Sequence, residues 1–417
     1  EIQRFRRENP SLRGDFSMNG DAQPQGTSDG RKFWMNDCEA VLGIVAVLLI
    51  IGSINVFSSS FVLAETNFGT PYFFLRKHGL NLVAGIFFLW LGIGINYHRW
   101  RTFMPLIFFG VLATLVLVLF VGTTVNGAQR WLSVAGFQIQ PAEFAKVVAV
   151  LIEAACIASR VNMGRPSLLL TPQLFLLGIM ALLIEREPDG ATAAIVVGVP
   201  CVMMLFSNMK KKDKLCMIGL GGLLLILICF VQPYRVLRVL AMLDPWADAQ
   251  GAGYQVVQSM QAIGSGGLTG MGLGVGISKY HYLPEAHTDF AFAVLCQEAG
   301  FLGAVFVFLL FASFAYYGIR IAQKAKDPLG QNVAFGLTIL IVGQAVGNLF
   351  MVGGWGPVIG VPLPFISYGG SSLAVSLWAV GILLNIGWKS VPPKMVVTSA
   401  PLPESTPLEK PRIRRIK

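Results

Sequence analysis

The sequence predicts an all-α integral membrane protein with about ten transmembrane helices and a large extracytoplasmic loop between helices 7 and 8. Three observations lead to this fold class. Hydrophobic residues make up 54% of the 417 residues and charged residues only 13%, a composition too apolar for a soluble domain. Apolar runs of about 20 residues, the length that crosses a bilayer as a helix, recur along the chain. Lysines and arginines concentrate in alternate loops between those runs.

Ten apolar runs follow one another within residues 36–390, which we predict to be a single polytopic membrane domain. Lipid offers the backbone no hydrogen-bond partner, so each run must satisfy its own amides, as a helix does. The predicted spans are residues 41–63, 79–95, 102–121, 141–159, 168–184, 191–209, 215–231, 290–318, 331–353 and 364–388. Residues 1–35 are predicted to be a disordered cytoplasmic arm, and residues 391–417 a basic, proline-rich cytoplasmic tail.

The distribution of basic residues orients these spans. The loops after the second, fourth, sixth and eighth spans contain Arg99, Arg101, Arg160, Arg165, Lys210, Lys211, Lys212, Lys214, Arg320, Lys324 and Lys326. The opposite side has fewer: Arg76, Lys77, Arg130, Arg186, Arg235, Arg238 and Lys279. The positive-inside rule therefore predicts that both termini are cytoplasmic and that residues 235–289 lie outside. Because the loops and tails account for most of the net charge of +10, we expect contact with anionic membrane lipid and not with nucleic acid.

The connection over residues 232–289 is the one predicted loop that exceeds ordinary length, at some 58 residues, and long loops in compact proteins are more often functional than idle. It is rich in glycine: Gly264, Gly266, Gly267, Gly270, Gly272, Gly274 and Gly276. Such a run lets backbone amides approach a phosphate closely, but it lacks the Gly-Lys-Ser/Thr ending of a P-loop. A tightly folded re-entrant loop is an equally good interpretation.

Asp289 lies where this loop enters the eighth predicted helix. Partial desolvation at the membrane boundary would raise its pKa toward values useful for a general base, while Lys279, Arg235 or a bound cation would hold it ionised. The alternative is a helix cap, because Thr288 and Asp289 both suit the start of a helix. The residues favour neither interpretation over the other.

Three further charged residues are predicted to lie at membrane depth. Glu298 is about two and a half helical turns beyond Asp289, and Glu143 and Lys146 are three residues apart on one helix face. Intramembrane charges are candidates for function by default. For Glu143 and Lys146 we favour a self-neutralising pair that fixes helix packing.

Arginines at the outer boundary form another candidate group. Arg235, Arg238 and Arg130, which precedes Trp131, have guanidinium groups suited to forked contacts with phosphate oxygens. Anchoring to lipid headgroups is an equally weighted alternative. Residues 360–372 add two prolines and hydroxyl side chains at the start of the last span, which predicts a broken or re-entrant helix beside a cavity.

These motifs, in this order, resemble the SEDS family (shape, elongation, division and sporulation), polytopic glycosyltransferases that polymerise lipid II into peptidoglycan strands. The resemblance runs from about Trp34 to Trp388. It rests on Ser58–Ser60, Arg130-Trp131, Gln140–Lys146, Pro188-Asp189, Tyr234-Arg235, Gly253–Gln255, Ala262–Gly267, Leu283–Phe290 and Pro362–Ser372. The segments Gly253–Gln255 and Leu283–His287 are more similar to the FtsW division branch and its SpoVE sporulation relatives than to RodA.

The resemblance implies a protein of the bacterial cytoplasmic membrane with ten helices, and with its active site in the large extracytoplasmic loop. Asp289, the aspartate of the His-Thr-Asp-Phe motif, is then the expected catalytic residue. The residues expected to bind substrate or diphosphate are Arg130, Arg235, Arg238, Lys279, Glu285 and His287. Those expected to support the site are Trp131, Glu143, Lys146, Glu298, Ser367 and Tyr368. Expected partners are lipid II, a class B penicillin-binding transpeptidase and other membrane proteins of the divisome.

The chain departs from the family pattern at three places. Ala142 stands where the family usually has Ser, Glu187 replaces the Gln of a Gln-Pro-Asp-Leu-Gly-Thr motif, and Gln297 replaces the first residue of a Glu-Glu pair. These departures place weight on Glu298 and leave the surroundings of Asp189 open.

The resemblance also implies a reaction. Lipid II carries its sugar on a diphosphate through an α linkage and the polymer link is β-1,4, so transfer inverts the anomeric carbon. Asp289 is expected to deprotonate the acceptor hydroxyl, while Arg235, Arg238, Lys279 and either Arg130 or a divalent cation, Mg²⁺ or Mn²⁺, stabilise the departing diphosphate. No other cofactor is expected. A flippase for the lipid-linked precursor, or a non-catalytic divisome scaffold, remains an alternative.

Overall fold

The computed structural model describes residues 36–125, 127–134, 137–169, 171–231, 233–280 and 282–390. The expectations for residues 1–35 and 391–417 lie outside these ranges. The helices are α1 (Asp37–Phe68), α2 (Phe73–Gly94), α3 (Tyr97–Val121), α4 (Pro141–Asn162), α5 (Pro172–Arg186), α6 (Gly190–Phe206), α7 (Lys211–Val231), α8 (Pro233–Leu243), α9 (Tyr254–Ser265), α10 (Ala291–Lys324), α11 (Pro328–Val352) and α12 (Gly370–Ser390). The strands are β1 (Thr123–Val125), β2 (Ala128–Val134) and β3 (Phe137–Ile139).

Each of the ten predicted apolar runs overlaps one of these helices. Among the described residues, six helices are long and apolar enough to cross a membrane by length and composition: α1, α2, α3, α10, α11 and α12. Helix α6 is apolar but has only 17 residues. The prediction of a multi-span helical protein is thus confirmed, and the count of ten crossings stays a prediction.

Helix α12 lies at the centre of the bundle, where every residue from Ser371 to Gly387 is buried. Its backbone packs directly on that of α2 through glycines on both helices. A Cβ atom added at Gly381 would lie 2.3 Å from the carbonyl oxygen of Leu89, and one at Gly92 would lie 2.8 Å from the amide nitrogen of Ile382. Small residues at such positions let membrane helices approach closely where the hydrophobic effect cannot drive association.

The small sheet corrects the expectation of an all-α chain. Its three strands are antiparallel in the order β1-β2-β3, with Leu132 opposite Ile139. Strands of three to seven residues are too short to stand out in a hydropathy reading made with windows of helical length. The sheet matters for the site because β2 carries Arg130, and β3 leads through Gln140 into α4.

The predicted loop 232–289 contains two helices, α8 and α9, followed by the glycine-rich run, which packs against a break in α10. The break is at Gly300, whose φ of 67° and ψ of −166° are not helical. Loop and helix exchange backbone hydrogen bonds of 2.9–3.1 Å: Met271 N to Gln297 O, Gly272 N to Glu298 O, Phe301 N to Gly267 O and Leu302 N to Leu268 O. The loop thereby satisfies the backbone N–H and C=O groups that the broken helix leaves unpaired.

Two glycines of this run fit only because they lack a side chain. A Cβ atom at Gly266 would lie 2.1 Å from the carbonyl oxygen of Cys296, and one at Gly270 would lie 2.1 Å from that of Glu298. Close packing on α10 therefore explains these positions, as the re-entrant interpretation predicts. At the last span, the expected irregular backbone is confirmed, but the predicted start at residue 364 is wrong, because α12 begins at Gly370.

Candidate active site

Asp289 lies in the last turn before α10, against the irregular segment that precedes α12. Helix α10 begins at Ala291 with Phe290 as its N-cap and no side-chain cap hydrogen bond, so the helix-cap interpretation of Asp289 is wrong. The Asn348 side chain of α11 donates to the carbonyl oxygens of Asp289 at 2.7 Å and of Val361 at 2.8 Å. Asn348 thus holds the backbone at Asp289 beside the segment leading to α12.

The carboxylate of Asp289 is half-buried, and no hydrogen-bond donor contacts it in the part of the chain that the structure describes. Burial, and after it the negative charges of Glu285 and Asp189, raise its pKa to about 7, against the opposing effect of Arg130 and Arg238. An aspartate with such a pKa is about half ionised at neutral pH. It can therefore take a proton from a hydroxyl group placed beside it.

Arg130 reaches the site from β2 and binds the turn between α5 and α6. Its Nε donates to the carbonyl oxygen of Glu187 at 3.0 Å, and its Nη2 donates to that of Pro188. Its neighbour Trp131 is half-buried and pairs with Thr123 of β1. The structure thus brings Arg130 close to Asp289 and gives Trp131 a place in the sheet that carries Arg130.

The same turn contributes two acidic residues that the sequence reasoning did not place in the site. Asp189 caps α6 by accepting from the amide of Thr192 at 3.2 Å, and it accepts from Gln140 Nε2 at 3.0 Å. Glu187 is fully buried. Pro188-Asp189 stood among the family motifs, but an aspartate before a helix is first explained as a cap. Only the fold shows that this cap also faces Asp289.

Arg235 and Arg238 lie one turn apart on α8 and contact different partners. Arg235 forms an ion pair with Glu185 at the end of α5. Arg238 donates from Nη1 to the carbonyl oxygen of Val358 at 2.7 Å and is close enough to lower the pKa of Asp289. Arg130 and Arg238 are therefore the basic side chains that act directly on Asp289 in the described structure.

Glu285 and His287 shape the approach to Asp289. Glu285 has a left-handed backbone, with φ of 54°, and its carboxylate accepts from Thr288 Oγ1 at 2.6 Å. The His287 ring packs against those of Phe74 and Tyr368, with centroid distances of 4.9 and 5.6 Å. Burial lowers the pKa of His287 and raises that of Tyr368, so both are neutral at physiological pH. His287 is therefore an uncharged wall of the site.

Lys279 and Glu298 form a buried ion pair at 2.9 Å, with side-chain exposures of 0% and 2%. Ser58 Oγ of α1 contacts the Glu298 oxygens at 2.6 and 2.7 Å, and the Phe61 ring lies 4.9 Å from Lys279 Nζ. The predicted contact of Lys279 with a diphosphate would require this pair to open. The pair joins α1, the loop and α10 just where α10 is broken.

Glu143 and Lys146 form the predicted pair on α4. Their charged atoms are 2.8 Å apart and buried, and Lys146 Nζ also donates to Gln344 Oε1 of α11 at 2.8 Å. The self-neutralising interpretation is thus confirmed. Ser367 accepts from the amide of Leu363 at 2.9 Å and so closes a turn beside the site. Its supporting position agrees with the expectation.

The residues described here include no group of three or more His, Cys, Asp or Glu side chains arranged to hold a metal ion. The expected alternative of Mg²⁺ or Mn²⁺ therefore finds no ready ligand set among them.

Comparison with known proteins places this arrangement in a family. The sequence model of the FtsW, RodA and SpoVE family, described as cell cycle protein, matches residues 39–390. The chain belongs to this family. The predicted resemblance is confirmed, and this FtsW/RodA/SpoVE protein is a multi-pass membrane protein.

Curated relatives carry the names that the motifs suggested. A protein of Geobacter sp. (strain M18) named probable peptidoglycan glycosyltransferase FtsW is 37% identical over 352 residues, which are 83% of this chain and 95% of the relative. Stage V sporulation protein E of Bacillus subtilis (strain 168) is 39% identical over 347 residues, 82% of this chain and 94% of the relative. Both lie on the predicted FtsW and SpoVE side of the family.

Solved structures share the fold. One chain comes from work on structural coordination of polymerization and crosslinking by a peptidoglycan synthase complex. It matches with a TM-score of 0.69 and 26% identity, covering 86% of this chain and 99% of that one. The rod shape determining protein RodA of Thermus thermophilus matches with a TM-score of 0.62 and 23% identity, covering 86% and 99%. The FtsW/RodA/SpoVE protein described here thus has a RodA-like fold.

Proposed function

We propose that this FtsW/RodA/SpoVE protein is a peptidoglycan glycosyltransferase that polymerises lipid II with inversion at the anomeric carbon, in septal wall synthesis during division. The observation that carries the proposal is the half-buried Asp289, whose pKa is raised to about 7 and which lies near Arg130 and Arg238. A proton acceptor beside cationic groups is what displacement of a diphosphate by a hydroxyl requires. Relatives named as glycosyltransferases over most of this chain support it.

In the proposed reaction, an acceptor-sugar hydroxyl attacks the anomeric carbon of the donor from the face opposite the diphosphate. The new carbon–oxygen bond forms as the bond from the anomeric carbon to the diphosphate oxygen breaks, and that oxygen keeps the electron pair. The hydroxyl proton passes to Asp289. One base and one stabilised leaving group are sufficient, because a single displacement inverts an α linkage to a β linkage.

Arg130 and Arg238 are proposed to stabilise the charge that develops on the leaving diphosphate. The two carbonyl contacts of Arg130 use two of the five N–H groups of a guanidinium, so donors remain for phosphate oxygens. Arg235 and Glu285 are proposed to orient the substrate from farther away than Arg130 and Arg238. The ion pair between α8 and α5 holds Arg235, and the turn before Asp289 holds Glu285. A divalent cation also remains a proposal, and phosphate oxygens of the substrate would have to complete its ligand set.

We further propose ten membrane crossings, with α4, α5, α6 and α7 added to the six apolar helices. The charges near the start of α4 support this, because Glu143 and Lys146 neutralise each other inside the bundle. From the basic loops and the positive-inside rule, the proposed topology has both termini in the cytoplasm and Asp289 with residues 232–289 outside. A donor whose lipid tail stays in the bilayer would enter from between helices.

The proposed partner is a class B penicillin-binding transpeptidase that crosslinks the new strands, with other divisome membrane proteins around it. The support is the structural relative that belongs to a peptidoglycan synthase complex. The flippase alternative receives less support, since the acidic and basic groups gathered around Asp289 lie at one end of the bundle. A flippase would need charges reachable from both sides in turn.

The test is glycan-strand formation from purified lipid II by detergent-purified protein, with and without its transpeptidase, comparing wild type with Asp289→Asn. Polymer from wild type, and a loss of about 10²–10⁴-fold in Asp289→Asn, is the expected result for a general base. Equal amounts of polymer from both proteins would show that a residue other than Asp289 is the base. No polymer from either, even with the partner, would favour the flippase or the scaffold.

A further inference from the structure

Glu187, in the turn between α5 and α6, is a buried acidic residue without a partner. Its exposure is 0%, and neither carboxyl oxygen has a hydrogen-bond partner among the residues that the structure describes. An ionised carboxylate in such a place is costly, whereas a protonated one is tolerated more easily. Glu187 also stands where the resemblance to the family leads one to expect Gln. A protonated carboxyl group and a primary amide have nearly the same size and neither carries a charge.

The groups around Glu187 define what its charge would do. Arg130 of β2 binds the carbonyl oxygen of Glu187 itself at 3.0 Å. Asp189 lies two residues on, in the same turn, and accepts a hydrogen bond from Gln140 ahead of α4. On the other flank, Glu185 is neutralised by Arg235 of α8. Arg130 is therefore the cation that an ionised Glu187 would attract.

The balance of these effects keeps Glu187 protonated at neutral pH. Burial and, to a smaller extent, the negative charge of Asp189 raise its pKa, and Arg130 opposes both without overcoming them, so that the pKa is about 8. The same Arg130 also lowers the pKa of Asp289, so one guanidinium lies within the electrostatic reach of both acids. Whichever of Glu187 and Asp289 is ionised attracts the Arg130 guanidinium.

We propose that Glu187 is a positioning residue that works as a neutral acid. While Glu187 holds its proton, Arg130 remains in position to stabilise ionised Asp289 and the leaving diphosphate. When Glu187 ionises, its carboxylate attracts Arg130 away from both. The inference rests on the proposed function, since it concerns the same reaction. It adds a residue that touches neither substrate nor reacting atom. In a relative with Gln at this place, the switch would be absent.

The proposal makes the activity bell-shaped in pH. Asp289 must be ionised to accept a proton, so activity rises as the pH passes about 7. Glu187 must be protonated, so activity falls as the pH passes about 8. From these two values, the alkaline side should fall about fivefold between about pH 8 and pH 9.

The experiment compares pH profiles of lipid II polymerisation for wild type, Glu187→Gln and the matched control Glu185→Gln. Glu185→Gln makes the same chemical change two residues away, at a carboxylate that already has a partner. We expect Glu187→Gln to keep the acid side and lose the fall above about pH 8. We expect Glu185→Gln to keep the pH of both sides, even where the loss of its pair with Arg235 lowers the rate at every pH. Size-exclusion profiles, and recovery of activity after return to neutral pH, show that each protein stays folded.

The outcomes separate this inference from the proposed function. If wild type polymerises lipid II and Glu187→Gln has the same alkaline fall, the inference is wrong and the proposed function stands. If no protein polymerises lipid II, the proposed function fails, and the inference, which needs that reaction, fails with it. Infrared difference spectra between wild type and Glu187→Gln give a readout without activity. A protonated-carboxyl band near pH 7 that disappears by pH 10 supports the inference, and its absence near pH 7 overturns it.

Discussion

The buried pair of Lys279 and Glu298 offers a test that separates a supporting role from direct contact with substrate. Replacing Lys279 by Met would leave the Glu298 charge with Ser58 as its hydrogen-bond partner, at 2.6 and 2.7 Å, in a place with 2% exposure. Breaking a buried pair by removing one partner costs about 3–5 kcal/mol, because the other charge is left uncompensated. Removing both charges, as Lys279→Met with Glu298→Gln, should restore much of that loss.

The assay is a double-mutant cycle on the free energy of unfolding in detergent, together with lipid II polymerisation by each variant. We expect a coupling of about 1–3 kcal/mol between the two positions, as for contacting residues in one network. We also expect the double variant to regain polymerisation in step with its stability. Additive effects on stability would refute the argument for the pair. A stable double variant with no activity would support the prediction that Lys279 contacts the diphosphate directly.

Three other predictions concern the site and the broken helix. Asp289 acts as a base only when ionised, and its pKa is raised to about 7. In Glu187→Gln, which lacks the alkaline fall, kcat/KM should therefore rise about tenfold from about pH 6 to pH 8. A flat profile would exclude Asp289 as the base. Asn348→Ala removes the hydrogen bonds that hold the backbone at Asp289, so kcat should fall about tenfold at nearly unchanged KM; a change confined to KM would contradict a positioning role. Gly270→Ala sets a Cβ atom 2.1 Å from the Glu298 carbonyl oxygen and should lower stability by about 3 kcal/mol or more in thermal unfolding. Its control Gly267→Ala, at positive φ but in open space, should cost about 1 kcal/mol, and equal losses would show that packing is not the cause.

The loop 232–289 could be only partly predicted from the sequence. Its length, glycine content and place before Asp289 marked it for function, and both interpretations of the glycines were open. The structure supports the re-entrant one, since Gly266 and Gly270 pack on carbonyl groups of α10. A list of glycines does not reveal which helix is broken to receive them. The break at Gly300 is itself unremarkable in the sequence, where glycine is common in membrane helices.

The sequence by itself determined the class of fold, the approximate positions of ten helices, the family, and Asp289 as the candidate centre of the site. These follow from local properties: the length of an apolar run, the alternation of basic loops, and motifs read in order along the chain. The pairing of Glu143 with Lys146 was also within its reach, since neighbours on one helix face are three or four residues apart.

Only the tertiary structure decided which charged residues share the site. Arg130 reaches the turn at Glu187 through a small sheet, Arg238 arrives on α8, and Lys279 is occupied by Glu298 nineteen residues away. The physical reason is that electrostatic coupling depends on distance and burial, and both are set by how distant segments pack. For that reason Asp189 and Glu187, unremarkable as a helix cap and its neighbour, become part of the site only once β2 and α10 lie beside their turn.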